Sequence, residues 1–299
     1  MRIFIVERKS LSKSEVFFIV TSHGWSASNW FAVALDTHPE ILCFHSAMHK
    51  HARGDSLSEE YLKENALEHG DAVNSRENLS IDVAFDRIKM RAQDPRKRVF
   101  GNVHTYRIRD LPALQDKYPT PREHMLMNLI RHPVSLVNSG FGQLRIFIEW
   151  DINTLIDVAG LQEMRFELDD IIKRYNLNLT DPNVVTFMSA CQHLFFLARD
   201  QIIAPDAPTI IMERLTADRE YYCEIVRNLT SGEIECTDEY LDEVFSLGKR
   251  NKHAQNSTID PAQQFLKWED WQRDTFLIAL RKSGIKDLYA KYDYDFSFI

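Results

Sequence analysis

The sequence predicts an α/β fold: a central parallel sheet flanked by helices, with a helical C-terminal part. Two observations carry this. Short apolar runs recur at residues 16–21, 41–44, 98–104, 125–130 and 209–212, and stretches of helical periodicity separate them. The runs are nearly continuous in apolar residues rather than alternating, as expected of strands buried on both faces of a parallel sheet. In such sheets ligands sit beyond the carboxyl ends of the strands.

Taken in order, residues 3–6 form a short edge-strand candidate and 16–21 (VFFIVT) the first core strand. A loop at 23–29 follows, and the next helix is expected over 30–35. A strand at 41–44 precedes a polar segment, 56–70, with helical spacing. A helix over 81–91 leads to the strand RVFGNVH at 98–104. The run MLMNLI at 125–130 enters Arg131 directly, with a helix expected from Leu136. Residues 151–175 and 183–200 are strongly helical, the latter with an apolar face of Val184, Phe187, Met188, Cys191, Leu194, Phe195 and Ala198. The strand at 209–212 is followed from residue 218 by mostly helical sequence and the aromatic tail YDYDFSFI. No repeat or low-complexity tract interrupts the chain, and 1–299 is expected to form one domain. Trp268, Trp271, Phe276 and Tyr289 are expected to pack in the core of the last helices.

The net charge of −8 argues against nucleic acid bound on a broad basic surface but leaves room for a local basic pocket. Cys43, Cys191, Cys223 and Cys236 form no CxxC pair and read as reduced thiols in a cytoplasmic protein. No signal-peptide pattern and no membrane-spanning run stand out. His45, His49 and His51 invite a metal reading, with His45 and His49 at i, i+4. No carboxylate or cysteine stands at a convincing spacing, so no metal is expected.

The segment 16–39 carries the most chemistry. A buried strand, a loop with one glycine and three small residues (Gly24, Ser26, Ala27, Ser28) and a helix N-terminus form an anion site. The loop amides and the positive end of the helix dipole converge on one point. The loop has no GK[ST], which argues against a kinase-type phosphate loop and a phosphotransferase. A second segment has the same chemistry. Arg131 at a strand end offers a planar fork to a phosphate, and Ser139, eight residues on, lies two helical turns further and can face the same anion. The alternative is a helix-capping arginine with a surface serine.

Together the two segments resemble the sulfotransferase family that uses 3′-phosphoadenosine 5′-phosphosulfate (PAPS). The resemblance spans residues 16–215, with weaker support in the C-terminal helices. Gly24, Trp25, Ser26, Ala27, Ser28, Asn29 and Trp30 stand where the family's P-[KR]-S-G-T-T-W loop holds the 5′-phosphosulfate. Arg131, Pro133 and Ser139 match the R-x-P…Ser segment that grips the 3′-phosphate. His38 to Glu40 is similar to the family's HP-x-I segment, and IIMERL at 210–215 to its strand-plus-E-[DR]-L segment. The resemblance implies a sulfotransferase fold related to the P-loop nucleotide hydrolases, with PAPS as sulfuryl donor. Trp30 would stack on adenine. His104, in the place of the family's K-T-H-L-P histidine, would be the general base, with a packing role as the alternative. Asn102 replaces the lysine of that segment.

One departure matters. Trp25 occupies the position of the loop cation, and losing such a donor costs roughly 3 kcal/mol of transition-state stabilisation. Another cation therefore enters the site, or the enzyme is slow, or the chain is a non-catalytic nucleotide-binding protein. His23, Arg107, Arg109, Lys249, Arg250 and Lys252 are the candidates, the last three also reading as a solvated loop. The expected partner is a small-molecule, lipid or carbohydrate acceptor. Acceptor identity and oligomeric state carry no readable motif.

Overall fold

The computed structural model describes residues 15–23, 26–45, 50–51, 81–104, 106–117, 119–120, 122–144, 165–247 and 260–299. The expected strand at 3–6, the helix at 56–70, the first part of 151–175, Gly24, Trp25, His49, Lys249, Arg250 and Lys252 lie outside the described residues.

Among the described residues six strands form one sheet: β1 (Val16–Ser22), β2 (Ile41–His45), β3 (Lys50–His51), β4 (Val99–Val103), β5 (Met125–Ile130) and β6 (Thr209–Ile211). Their order is β3-β2-β4-β1-β5-β6. All pairs are parallel except the two-residue edge strand β3, which runs antiparallel to β2. The chain leaves β1 towards β2 on one side and later crosses from β4 to β5 on the other. The carboxyl end of β1 is therefore a topological switch point, where open α/β sheets form their ligand crevice.

Side-chain alternation along β1 assigns the two faces. Phe18 and Val20 join a core with α1 (Ser28–Asp36), and with α8 (Arg219–Leu229) and α9 (Asp238–Ser246) from the C-terminal part. Phe17 and Ile19 point the other way, into a core with α2 (Ile81–Met90) and α3 (Leu111–Lys117). Ile130 of β5 meets a third core. That core is built by α4 (Pro133–Leu144), α5 (Arg165–Tyr175), α6 (Pro182–Ile203), α10 (Pro261–Leu266) and α11 (Asp270–Ser283). Trp268, Trp271, Phe276 and Tyr289 are buried there, as expected. The short helices α7 (Met212–Leu215) and α12 (Ile285–Leu288) complete the described α-helices, with 3-10 turns at Ile108–Asp110 and Ala290–Tyr292.

Gly101 has a specific packing role. It is paired with Phe18 across β4 and β1, and a Cβ at 101 would stand 1.8 Å from the Phe18 ring. The missing side chain is the space the ring fills. On the same face, the Tyr240 hydroxyl donates to the Ala34 carbonyl at 3.1 Å and meets the Tyr222 hydroxyl at 2.8 Å, fixing α1 to α8 and α9. The C-terminal half of α1 thus rests on a buried scaffold.

Two helices begin earlier than the sequence suggests: α1 at Ser28 rather than Trp30, and α4 at Pro133 rather than Leu136. His45 ends a strand, so its i, i+4 relation to His49 does not make a shared helix face. Cys43 and Cys191 are buried, Cys223 and Cys236 half-buried, and all four are free thiols. No described helix is long and apolar enough to cross a membrane, and no cluster of metal-ligating side chains occurs among the described residues.

Candidate functional site

The parallel register brings the carboxyl ends of β1, β2, β4, β5 and β6 to one edge of the sheet. Ser22 is level with Leu129, His45 with Val103, and Ile130 with Ile211. The residues that follow these ends are His23, His104, Arg131 and Met212, so the predicted motif residues gather at this edge.

Ser26 and Ser28 are buried, Asn29 is exposed and Trp30 half-buried. Ala27 is the N-cap of α1, in the left-handed region at φ 55°, ψ 22°, and it supplies no side-chain cap. Alanine is among the poorest N-caps, and a left-handed residue costs about 1–2 kcal/mol. A chain that places it here leaves the first-turn amides without the usual side-chain oxygen, the condition under which a helix N-terminus receives an anion. Trp30 packs edge-on against Tyr222 and Phe245, with ring centroids 6.2 and 6.5 Å away.

His104 follows β4. Its amide continues the ladder, donating to the Val20 carbonyl at 2.8 Å, and its backbone then turns to φ 76°. That turn folds the ring back over the end of β1, where Nδ1 lies 3.1 Å from the Ser22 carbonyl. A carbonyl only accepts, so Nδ1 carries the proton and Nε2 holds the lone pair of the neutral ring. Strained backbone held at a strand end by surrounding structure is typical of functional sites. The ring stacks on His45 at 5.4 Å and 15°, and His45 Nε2 lies 3.0 Å from the Ser28 hydroxyl. The predicted base is thus linked through His45 to the first turn of α1.

Arg131 is only 2% exposed. Burial lowers its pKa from the usual arginine range, while Glu213 and Tyr294 favour its charge. Glu213 is itself fixed, its Oε1 accepting from the His132 amide and its Oε2 from the Tyr294 hydroxyl, each at 3.0 Å. The aromatic tail therefore reaches the arginine end of the site. Ser139 is half-buried on α4.

A second cluster lies where β1 ends. The Arg109 guanidinium donates through Nη1 to His23 Nε2 at 3.2 Å and stands 3.5 Å from Asp200 Oδ1. The Phe196 ring stacks on His23 at 5.2 Å and carries the guanidinium 4.8 Å from its centroid. His193 meets His23 edge-on at 5.2 Å. Burial, then His193, Arg107 and Arg109, hold the His23 pKa well below its ordinary range. Burial pushes the Asp200 carboxyl up to about 6 in spite of both arginines. Sequence reasoning named His23, Arg107 and Arg109 but missed His193, Phe196 and Asp200. Their 3- and 4-residue spacing on α6 puts them on one helix face, which was the readable signal.

No family model matches the sequence, and no curated protein matches it. Among solved structures, the chain is similar to the sulfotransferase domain from the curacin biosynthetic pathway. The identity is 15%, over 95% of this chain and 99% of that one, at a TM-score of 0.43. It is also similar to the sulfotransferase domain of the Synechococcus PCC 7002 olefin synthase, at 16% identity over 95% and 97%, TM-score 0.36. A third similar structure is a sulfotransferase from Alicyclobacillus acidocaldarius, at 15% identity over 79% and 92%, TM-score 0.36. At such scores the functional reading rests on the site's own residues.

Proposed function

We propose that the chain is a single-domain sulfotransferase that moves a sulfuryl group from PAPS to a hydroxyl or amine of a small-molecule, lipid or carbohydrate acceptor. The observation that supports this most directly is the placing of Arg131 one strand away from the β1 loop, at the same sheet edge as His104. The motif pair in the sequence calls for this arrangement. The uncapped start of α1 fits a phosphate, and the buried guanidinium of Arg131 fits a second one.

When bound, PAPS supplies an activated sulfuryl group on a phosphosulfate linkage. The chain's own residues do the rest. Amides of the α1 first turn and the hydroxyls of Ser26 and Ser28 hold the 5′ end, and Arg131 with Ser139 holds the 3′-phosphate. His104 Nε2 takes the acceptor proton, its tautomer set by the Ser22 carbonyl. Rate enhancement then comes from in-line positioning and charge stabilisation.

Calorimetry tests the binding half. 3′-Phosphoadenosine 5′-phosphate should bind more tightly than AMP, and Arg131→Ala should abolish the preference, a loss of roughly 1.5–3 kcal/mol for a charge-assisted contact. Equal affinity of the wild type for the two nucleotides would refute the assignment. Trp25 favours a second reading, a nucleotide-binding protein without transferase activity. Transfer of labelled sulfate to any member of an acceptor panel excludes it.

A further inference from the structure

The loop of this chain has tryptophan where a cation would stand, and Arg109 is brought to the residue that opens the loop. A guanidinium only donates hydrogen bonds, so the 3.2 Å contact makes His23 Nε2 the acceptor and leaves the ring's proton on Nδ1. His23 is 6% exposed, and its Nδ1 has no hydrogen-bond partner among the described residues. A buried N–H left in this state costs about 1–3 kcal/mol, a cost that a guest accepting from it would offset. Arg109 is fixed by Asp200 at 3.5 Å, by Asp110 at 3.7 Å, by the Phe196 face and by His23, with its side chain 12% exposed. Two arginines, 107 and 109, act on His23, while Arg109 itself is held by the carboxylates of Asp200 and Asp110.

We infer that Arg109, acting through the Nδ1–H of His23, supplies the positive charge that Trp25 cannot, and that the anion it serves is the phosphate to which the sulfuryl group is attached. The inference rests on the sulfuryl-transfer reading. In the step served, the bond from sulfur to the bridging phosphate oxygen breaks, and its electron pair stays on that oxygen. A bond from sulfur to the acceptor oxygen or nitrogen forms, and the acceptor proton passes to His104 Nε2. His23 transfers no proton; it donates a hydrogen bond to the oxygen that gains charge. The guanidinium on the opposite edge of the ring draws electron density from it and strengthens that donor. Arg109 is thus a positioning residue, and His23 is the group that touches the donor.

The test compares the wild type, Arg109→Met, Trp25→Lys and the double variant in labelled-sulfate transfer. Each is checked for folding by thermal melt. Arg109→Met should lower kcat about 10²–10³-fold, the cost of removing one preorganised donor, with a smaller effect on KM. Trp25→Lys in the Arg109→Met background should recover roughly tenfold or more, because the lysine restores charge from within the loop. A merely structural arginine would not be rescued this way. Nitrogen-15 imidazole NMR of the wild type gives a measurement independent of variant folding. His23 should show the Nδ1–H tautomer near neutral pH, and this proton should move downfield on titration with 3′-phosphoadenosine 5′-phosphate. Undiminished kcat in folded Arg109→Met, absence of rescue, or an unmoved Nδ1–H signal overturns the inference while sulfuryl transfer by the wild type stands. A wild type that transfers no sulfate and does not prefer the 3′-phosphorylated nucleotide overturns both.

Discussion

Acid should weaken the contact between the C-terminal tail and the site through His132. This ring is 2% exposed and caged by Tyr294, Phe296 and Phe298. Its Nδ1 accepts the Val134 amide at 3.2 Å, and its Nε2–H donates to the Asp295 carbonyl at 3.1 Å. Both edges are committed to the neutral form, and a second proton at Nδ1 would face the Val134 N–H. Burial is the main cause that brings the pKa from 6.5 to about 4. Arg131 adds to it, while the Asp295 carbonyl bond, Asp260 and the Asp295 carboxylate oppose it. Between these two values the unfolded chain binds the proton and the folded one does not, so stability rises with pH there and falls as pH drops from 6.5 to 4. The loss amounts to about 3 kcal/mol. His193, also held near 4, adds a loss of the same sign, whereas Asp200, raised to about 6, opposes it. His132→Asn isolates the term, because asparagine can accept from the Val134 amide as an N-cap without titrating. Urea unfolding at pH 7.5, 6.5, 5.5 and 4.5 should show the wild type losing stability faster than His132→Asn, with the gap between them changing by up to ~3 kcal/mol. Parallel curves for the two proteins would refute the argument.

The remaining predictions concern the sheet and the base. Gly101→Ala should destabilise by about 1–3 kcal/mol through overpacking against the Phe18 ring, and Phe18→Leu in the same chain should recover part of that loss in urea melts. Full stability of Gly101→Ala would mean that the ring does not occupy that space. His104→Asn keeps a residue that tolerates positive φ, so it should fold normally while lowering kcat about 10²–10⁴-fold with nucleotide affinity nearly unchanged. Near-full kcat would make His104 a packing residue.

The strands were legible because buried parallel strands are short apolar runs with clear ends, and β1, β2 and β5 fall within a residue or two of their expected bounds. The starts of α1 and α4 were not legible, for a local reason. α1 is entered through a left-handed alanine, and α4 through a histidine whose ring accepts the Val134 amide, and neither is a usual capping residue. The same non-standard choices mark the site, since Ala27 leaves amides uncapped and His132 ties the tail to the arginine end.

The least legible part of the site is the set of contacts that link its segments. His23 and Arg109 are 86 residues apart, and Asp200 comes from a third segment. No window of sequence contains their relation. A local motif can be read only while one segment carries the whole of a chemical task, as proposed for Arg131 with Ser139. On the sulfuryl-transfer reading, with Trp25 in the loop the charge arrives from elsewhere in the chain, and a sequence shows only that the loop has no cation. The fold supplies the rest by ordinary means. The turn after β4 that sets His104 over the end of β1 also returns the chain, three to five residues later, past the same strand end. Arg109 therefore reaches His23 through the same turn that places His104. On this view the loss of the loop cation and the gain of the Arg109–His23 contact are coupled, and restoring a lysine at position 25 should recover part of what Arg109→Met loses.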